Sequence, residues 1–136
     1  MLNILLVEDD DGDAGAVRRG FRKVSTVNIQ RAVNGIEALE MLKGENGQPK
    51  TPRHVLLIVD LNMPKMSGVE LVKAMRMDDQ LKQAVIFILT TSTSEEDKRS
   101  AYDLNVAGYI DKATAGREFL TLVELMNSYR TIVQLP

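Results

Sequence analysis

Five short apolar runs punctuate this chain, and four of them end abruptly in residues able to handle a phosphoryl group. Ile4 to Val7 runs into Glu8-Asp9-Asp10, and Val55 to Val59 runs into Asp60. Val85 to Leu89 runs into Thr90-Thr91, and Val106 to Ile110 runs into Asp111-Lys112. The fifth, Val27 to Val33, ends uncharged in Asn34-Gly35. Runs this short, separated by segments of helical periodicity, are the pattern of an α/β fold with a parallel sheet. In such a sheet every strand ends on the same edge, and ligands bind just outside it. Carboxylates, hydroxyls and an ammonium that are distant in sequence are therefore expected to converge.

The intervening segments supply the helices. Ala14, Val17, Phe21 and Val24 form one apolar stripe, and Ile36, Leu39 and Leu42 a second. A third helix buries Val69, Val72 and Met75, a fourth Ala101 and Leu104, and the last Phe119, Leu122, Val123 and Met126. Asn34 with Glu37, Ser67 with Glu70, and Ser92 with Glu95 each pair an N-cap residue with an acid three positions on, the mark of a helix start. Gly44 ends the second helix. Residues 45–54, with Gly47, Pro49 and Pro52, read as a long polar loop. Residues 130–136 read as an extended tail, because β-branched residues cluster there and Pro136 closes it.

Composition narrows the function. At 136 residues the chain is expected to form one domain spanning 1–136. Its formal net charge is −2, with no clustered basic face of the kind a nucleic-acid binder carries. It has no cysteine, which excludes disulfides, thiolate metal sites and cysteine nucleophiles. No apolar stretch approaches the roughly 20 residues of a bilayer span. The N-terminus lacks a basic segment followed by a long apolar one, so a cytoplasmic location without membrane attachment is expected.

At the strand ends, Glu8, Asp9 and Asp60 would repel one another when brought close, and a hard divalent cation relieves this. Few oxygens, with room left for water and phosphate, suit Mg²⁺. On this reading Asp9 and Asp60 bind the metal, Glu8 holds a metal-bound water, and a carbonyl of the Leu61-Asn62 turn completes the protein's share. Lys112 supplies positive charge for a phosphoryl oxygen, and Thr90 a hydroxyl donor. A carboxylate held between metal and lysine is placed to attack phosphorus. Asp10, Asp11 and Asp13 read as turn formers or caps. His54 reads as a solvated side chain.

In order and approximate spacing, Val7-Glu8-Asp9-Asp10, Asp60-Leu61-Asn62-Met63-Pro64 with Gly68, then Thr90, Tyr109 and Lys112 resemble the receiver domain of bacterial two-component response regulators. The resemblance covers essentially the whole chain. It implies a doubly wound, flavodoxin-like sheet of five parallel strands in the order 2-1-3-4-5, with helices on both faces. It implies Asp60 as phosphoacceptor, Glu8 and Asp9 as the acidic pocket, and Asn62 as the donor of a backbone carbonyl to Mg²⁺. Thr90 and Lys112 would contact the phosphoryl group, and Tyr109 would be an aromatic switch that turns inward. Asn62, Thr91 and Ser92 would tune the phosphoryl lifetime through the access of water. The domain would be a signalling module rather than an enzyme, assisting its own phosphorylation and dephosphorylation.

The long loop, the tail and the Asp10-Asp11-Gly12-Asp13-Ala14 start of the first helix resemble the stand-alone receivers that partner phytochrome-type histidine kinases. A histidine kinase would be the phosphodonor. Output would pass through a partner or a homodimer, with the last helix–strand–helix region and tail as the surface and Leu120, Leu125 and Ile132 as candidate contacts. One position departs from the pattern. Ala113 follows the lysine where the family usually has proline, commonly after a cis bond. Either Lys112-Ala113 keeps a cis bond, costing about 2.5–4 kcal/mol before a non-proline residue, or Lys112 reaches the site by another route. Two alternatives stand beside the phosphoacceptor. One is a degenerate receiver acting only by protein contacts. The other is an aspartyl-nucleophile phosphohydrolase of the haloacid dehalogenase type, which needs an acid/base where Asn62 stands.

Overall fold

The computed structural model describes residues 1–24 and 26–136. Strands and helices alternate along the chain: β1 (Leu2–Val7), α1 (Asp11–Phe21), β2 (Val27–Ala32), α2 (Gly35–Lys43), β3 (Val55–Val59), α3 (Gly68–Arg76), β4 (Ile86–Thr90), α4 (Glu95–Asp103), β5 (Gly108–Asp111) and α5 (Leu120–Ile132). The strands form one sheet in the order β2-β1-β3-β4-β5, with every neighbouring pair parallel. This is the doubly wound, flavodoxin-like architecture expected from the alternating runs.

The central strands β1, β3 and β4 are largely apolar because both of their faces are covered. Successive side chains point to opposite faces. Leu5, Val7, Leu57, Val59, Ile86 and Ile88 therefore pack with α2, α3 and α4 through Ala38, Met41, Leu42, Leu71, Val72, Met75 and Ala101. Ile4, Leu6, Leu56, Ile58, Phe87 and Leu89 pack on the other face with Val17 and Phe21 of α1 and Leu122, Val123 and Met126 of α5. The α2 stripe differs from its expected form: Ala38, Met41 and Leu42 are buried, whereas Ile36 is 44% exposed. Helix α3 buries Leu71 in place of the expected Val69, which is only half-buried.

The helix starts follow side-chain caps. Asn34 accepts from the Glu37 N–H at 2.9 Å, and Ser67 and Glu70 make the full reciprocal capping box. Gly44 closes α2 in the left-handed conformation at φ 67°. Helix α4 corrects the sequence reading. Its N-cap is Ser94, which accepts from the Asp97 N–H at 3.3 Å, and Ser92 lies outside the helix. Both serines stand three residues before an acid, so the spacing fits two registers, and the chain takes the second.

The tail is also shorter than expected. Helix α5 continues through Arg130, Thr131 and Ile132, and its last bond runs from the Val133 N–H to the Tyr129 carbonyl at 2.9 Å. β-Branched residues cost a helix only a few tenths of a kcal/mol each, too little to stop an established helix. Only residues 133–136 lie beyond it. Residues 45–54 form no regular element. His54 is exposed, and its Nδ1 donates to the Pro136 carbonyl at 2.8 Å.

Candidate functional site

Strand register brings the acids together. Val7 of β1 lies opposite Val59 of β3, so Glu8 and Asp60, each the next residue, leave the sheet side by side. Backbone bonds hold both: the Glu8 N–H donates to the Ala32 carbonyl and the Asp60 N–H to the Val7 carbonyl, each at 3.0 Å. After Asp60 the chain folds back so closely that the Gly68 N–H donates to the Leu61 carbonyl at 2.9 Å. A Cβ at Gly68 would overlap the Asp60 carbonyl oxygen, which explains the glycine at the start of α3. Glu8, Asp9 and Asp60 each offer a carboxylate oxygen within 4.8 Å of the others. Three hard oxygen donors so spaced fit a divalent cation of the Mg²⁺ type.

Lys112 completes the cluster. Thr90 pairs with Asp111 across β4 and β5, which sets Lys112 at the same edge of the sheet. Its Nζ lies 2.6 Å from Glu8, 2.7 Å from Asp13 and 3.3 Å from Asp60. Among the described residues no peptide bond is cis. Lys112 thus reaches the acids with a trans bond to Ala113, by the second of the two routes. Its backbone enters a short 3₁₀ turn, Lys112–Thr114, capped by Asp111, whose carboxylate accepts from the Ala113 N–H at 2.9 Å.

Burial and like charge act on this cluster in opposite ways from the lysine. Glu8 is buried, and its pKa is pushed up from 4.5 to about 7, first by desolvation, with Asp60 adding to the rise and Lys112 opposing it. For Lys112, burial alone would depress the ammonium, but Asp13, Glu8 and Asp60 together outweigh it and hold its pKa well above the ordinary lysine value. The ammonium is therefore a fixed charge, and Glu8 takes up a proton more readily than a solvated glutamate does.

The remaining expected residues lie around Ser92. Thr90 is fully buried at the end of β4, and its Oγ accepts from the Ser92 N–H at 3.3 Å. The half-buried Tyr109 donates its hydroxyl to the Ser92 carbonyl at 3.0 Å. The Ser92 hydroxyl turns toward α4 and donates to Asp97 at 2.6 Å. Thr91 and Asn62 are exposed, and the Asn62 N–H reaches Asp60 at 3.4 Å.

The sequence of residues 4–124 matches the model of the response regulator receiver domain family. This chain belongs to that family. The receiver is 30% identical over 128 residues to response regulator Rcp1 of Synechocystis sp., covering 93% of this chain and 86% of that protein. It is 35% identical over 128 residues to the probable methanogenesis regulatory protein FilR2 of Methanothrix harundinacea, covering 93% of this chain and 81% of the other. Among solved structures it superposes on the phosphorylated cyanobacterial phytochrome response regulator RcpA with a TM-score of 0.88 at 27% identity, covering 99% of this chain and 98% of that one. The Mn²⁺-bound form of Rcp1 gives a TM-score of 0.81 at 30% identity, covering 100% and 99%. Receivers are signalling domains, and this one is close in sequence and structure to phytochrome response regulators. Among the described residues, no helix is long and apolar enough to cross a membrane.

Three aspartates of this receiver that read alike in sequence have three different contacts. Only Asp10 caps α1, accepting from the Asp13 N–H at 2.8 Å. Asp11 pairs with Arg31 at 2.7 Å, and the same guanidinium donates to the Glu8 carbonyl at 2.9 Å. Asp13 binds Lys112. The signal for Asp13 was its place beside Ala14, on the flank of the buried stripe at the end of α1 nearest the strand ends. Tyr102 was missed as well. Its hydroxyl accepts from the Tyr109 N–H at 3.2 Å, tying α4 to the outer edge of β5.

Proposed function

We propose that this receiver is a phosphoacceptor and that Asp60 accepts the phosphoryl group from a histidine kinase, of the phytochrome-linked kind given its relatives, in the presence of Mg²⁺. The observation that carries the reading is the meeting of four charges at one strand edge: Asp60 lies 3.3 Å from the Lys112 ammonium and within 4.8 Å of Glu8 and Asp9. An Asp60 carboxylate oxygen attacks phosphorus, the phosphorus–nitrogen bond of the donor phosphohistidine breaks, and the imidazole leaves with its electron pair and takes up a proton. Asp9, Asp60 and the Asn62 carbonyl would hold Mg²⁺, with Glu8 holding a metal-bound water, and the ion would supply neutralising charge to the carboxylates and phosphoryl oxygens. Lys112 neutralises a further oxygen, and the site acts by positioning and electrostatics. Water later hydrolyses the acyl phosphate, with Asn62, Thr91 and Ser92 governing its access.

Response follows from the second group of contacts. The phosphoryl group draws the Thr90 hydroxyl, and Ser92, bonded to both Thr90 and Tyr109, carries the change to the aromatic ring. The face it alters is α4–β5–α5. Leu120, Leu125 and Ile132 are 40%, 44% and 83% exposed there, which favours output through a homodimer or a partner on that face. The test is intact mass after incubation with Mg²⁺ and acetyl phosphate. Wild type gains one phosphoryl mass and Asp60→Asn gains none. A wild type that stays unmodified, even with a cognate kinase, would leave the chain a degenerate receiver. Steady turnover of varied phosphoesters would make it a phosphohydrolase.

A further inference from the structure

We infer that Asp13 is a positioning residue that aims the Lys112 ammonium at the phosphoryl site, an inference that rests on the phosphoacceptor reading of Asp60. Lys112 has no proline after it, and its peptide bonds are trans, so something other than a kinked backbone must direct its long side chain. Four contacts divide that work. The Asp111 cap holds the backbone at one end. At the other, the ammonium nitrogen pairs with Glu8 at 2.6 Å and donates to Asp13 at 2.7 Å and Asp60 at 3.3 Å.

Only one of these three carboxylates stands outside the cluster spaced for a cation. With Glu8 and Asp60 turned toward a divalent ion, Asp13 would remain the carboxylate beside Lys112. It is also held firmly. Its N–H donates to Asp10 in the first turn of α1 at 2.8 Å, and Arg31 ties the preceding loop through Asp11 and the Glu8 carbonyl. Asp13 therefore anchors one ammonium proton at the rim of the site. A second stays directed at Asp60, where an incoming phosphoryl oxygen meets it.

The test compares wild type with Asp13→Asn, which preserves shape and removes charge. Two readouts are followed: the Lys112 ammonium ¹⁵N resonance, assigned by its loss in Lys112→Arg, and the initial rate of phosphoryl mass gain from acetyl phosphate across a Mg²⁺ series. The variant is expected to shift or broaden the ammonium signal while other resonances stay in place. Its maximal rate is expected to fall about tenfold, with the half-saturating Mg²⁺ concentration within about twofold of wild type, as for a misaimed group rather than a lost ligand. An unchanged maximal rate overturns the proposal whatever the resonance does. So does a fall explained by weaker Mg²⁺ binding. If wild type itself gains no mass, the phosphoacceptor reading fails instead, and an ammonium signal unmoved by Asp13→Asn then overturns the positioning claim independently.

Discussion

The centre of the sheet and its β5 edge are built to different standards. Leu5, Val7, Leu57, Ile58 and Val59 of β1 and β3 are fully buried, each strand paired on both sides and covered on both faces. All four residues of β5 are half-buried, and α4 buries only Ala101. Glu8 and Asp60 extend from the first region. Tyr109 and the Ser92 contacts belong to the second. The proposed chemistry, which needs closely positioned carboxylates, would sit on the most deeply buried part of the fold. The proposed response would sit where few apolar contacts oppose a local rearrangement. The difference is one of packing, and it can be broken by substitution.

The largest effect is expected at the centre. Ile58→Ala, at a fully buried site, should lower unfolding free energy by about 3 kcal/mol, whereas Ile110→Ala on half-buried β5 should cost about 1 kcal/mol. Urea titration of both variants measures the contrast, and equal losses would erase it. A smaller effect comes from the charge at the centre. Glu8 binds its proton more tightly in the folded chain, about 7 against 4.5, so ionising it between those pH values costs stability. That contribution is intact below pH 4.5 and lost as pH rises through 7. In metal-free buffer Glu8→Gln should therefore gain on wild type as pH rises across this window, with the difference levelling above it. Denaturation midpoints in a pH series read the sign, and added Mg²⁺ should return the advantage to wild type. The smallest effect lies at the edge. Ser94→Ala should cost about 1 kcal/mol by removing the α4 cap, and Ser94→Asp should retain it.

Much of the centre was legible because strands buried on both faces must be apolar, and their ends are sharp where Glu8 and Asp60 begin. The caps at Asn34 and Ser67 were equally plain, since each offers a single register. At α4, Ser92 and Ser94 offered two, and only the packing of α4 against the sheet chose between them. The end of α5 was misjudged because β-branched residues weigh locally against helix, while a helix already seated on the core continues through them. Ile36 went wrong for a related reason: a short helix presents two plausible stripes, and the smaller Ala38 takes the closer approach. Asp13 meets Lys112 from the far end of the chain, and Tyr102, though only seven residues from Tyr109, meets it across the turn between α4 and β5, so both contacts exist only once β5 is in place.

Asp60 is proposed as the carboxylate of the strand-edge cluster that accepts the phosphoryl group. Borohydride converts an acyl phosphate to an alcohol, so reduction after treatment with acetyl phosphate and Mg²⁺, followed by peptide mass analysis, marks the acceptor as homoserine. Homoserine is expected at position 60 alone. Homoserine at Asp9 or Asp13, with Asp60 intact, would contradict it.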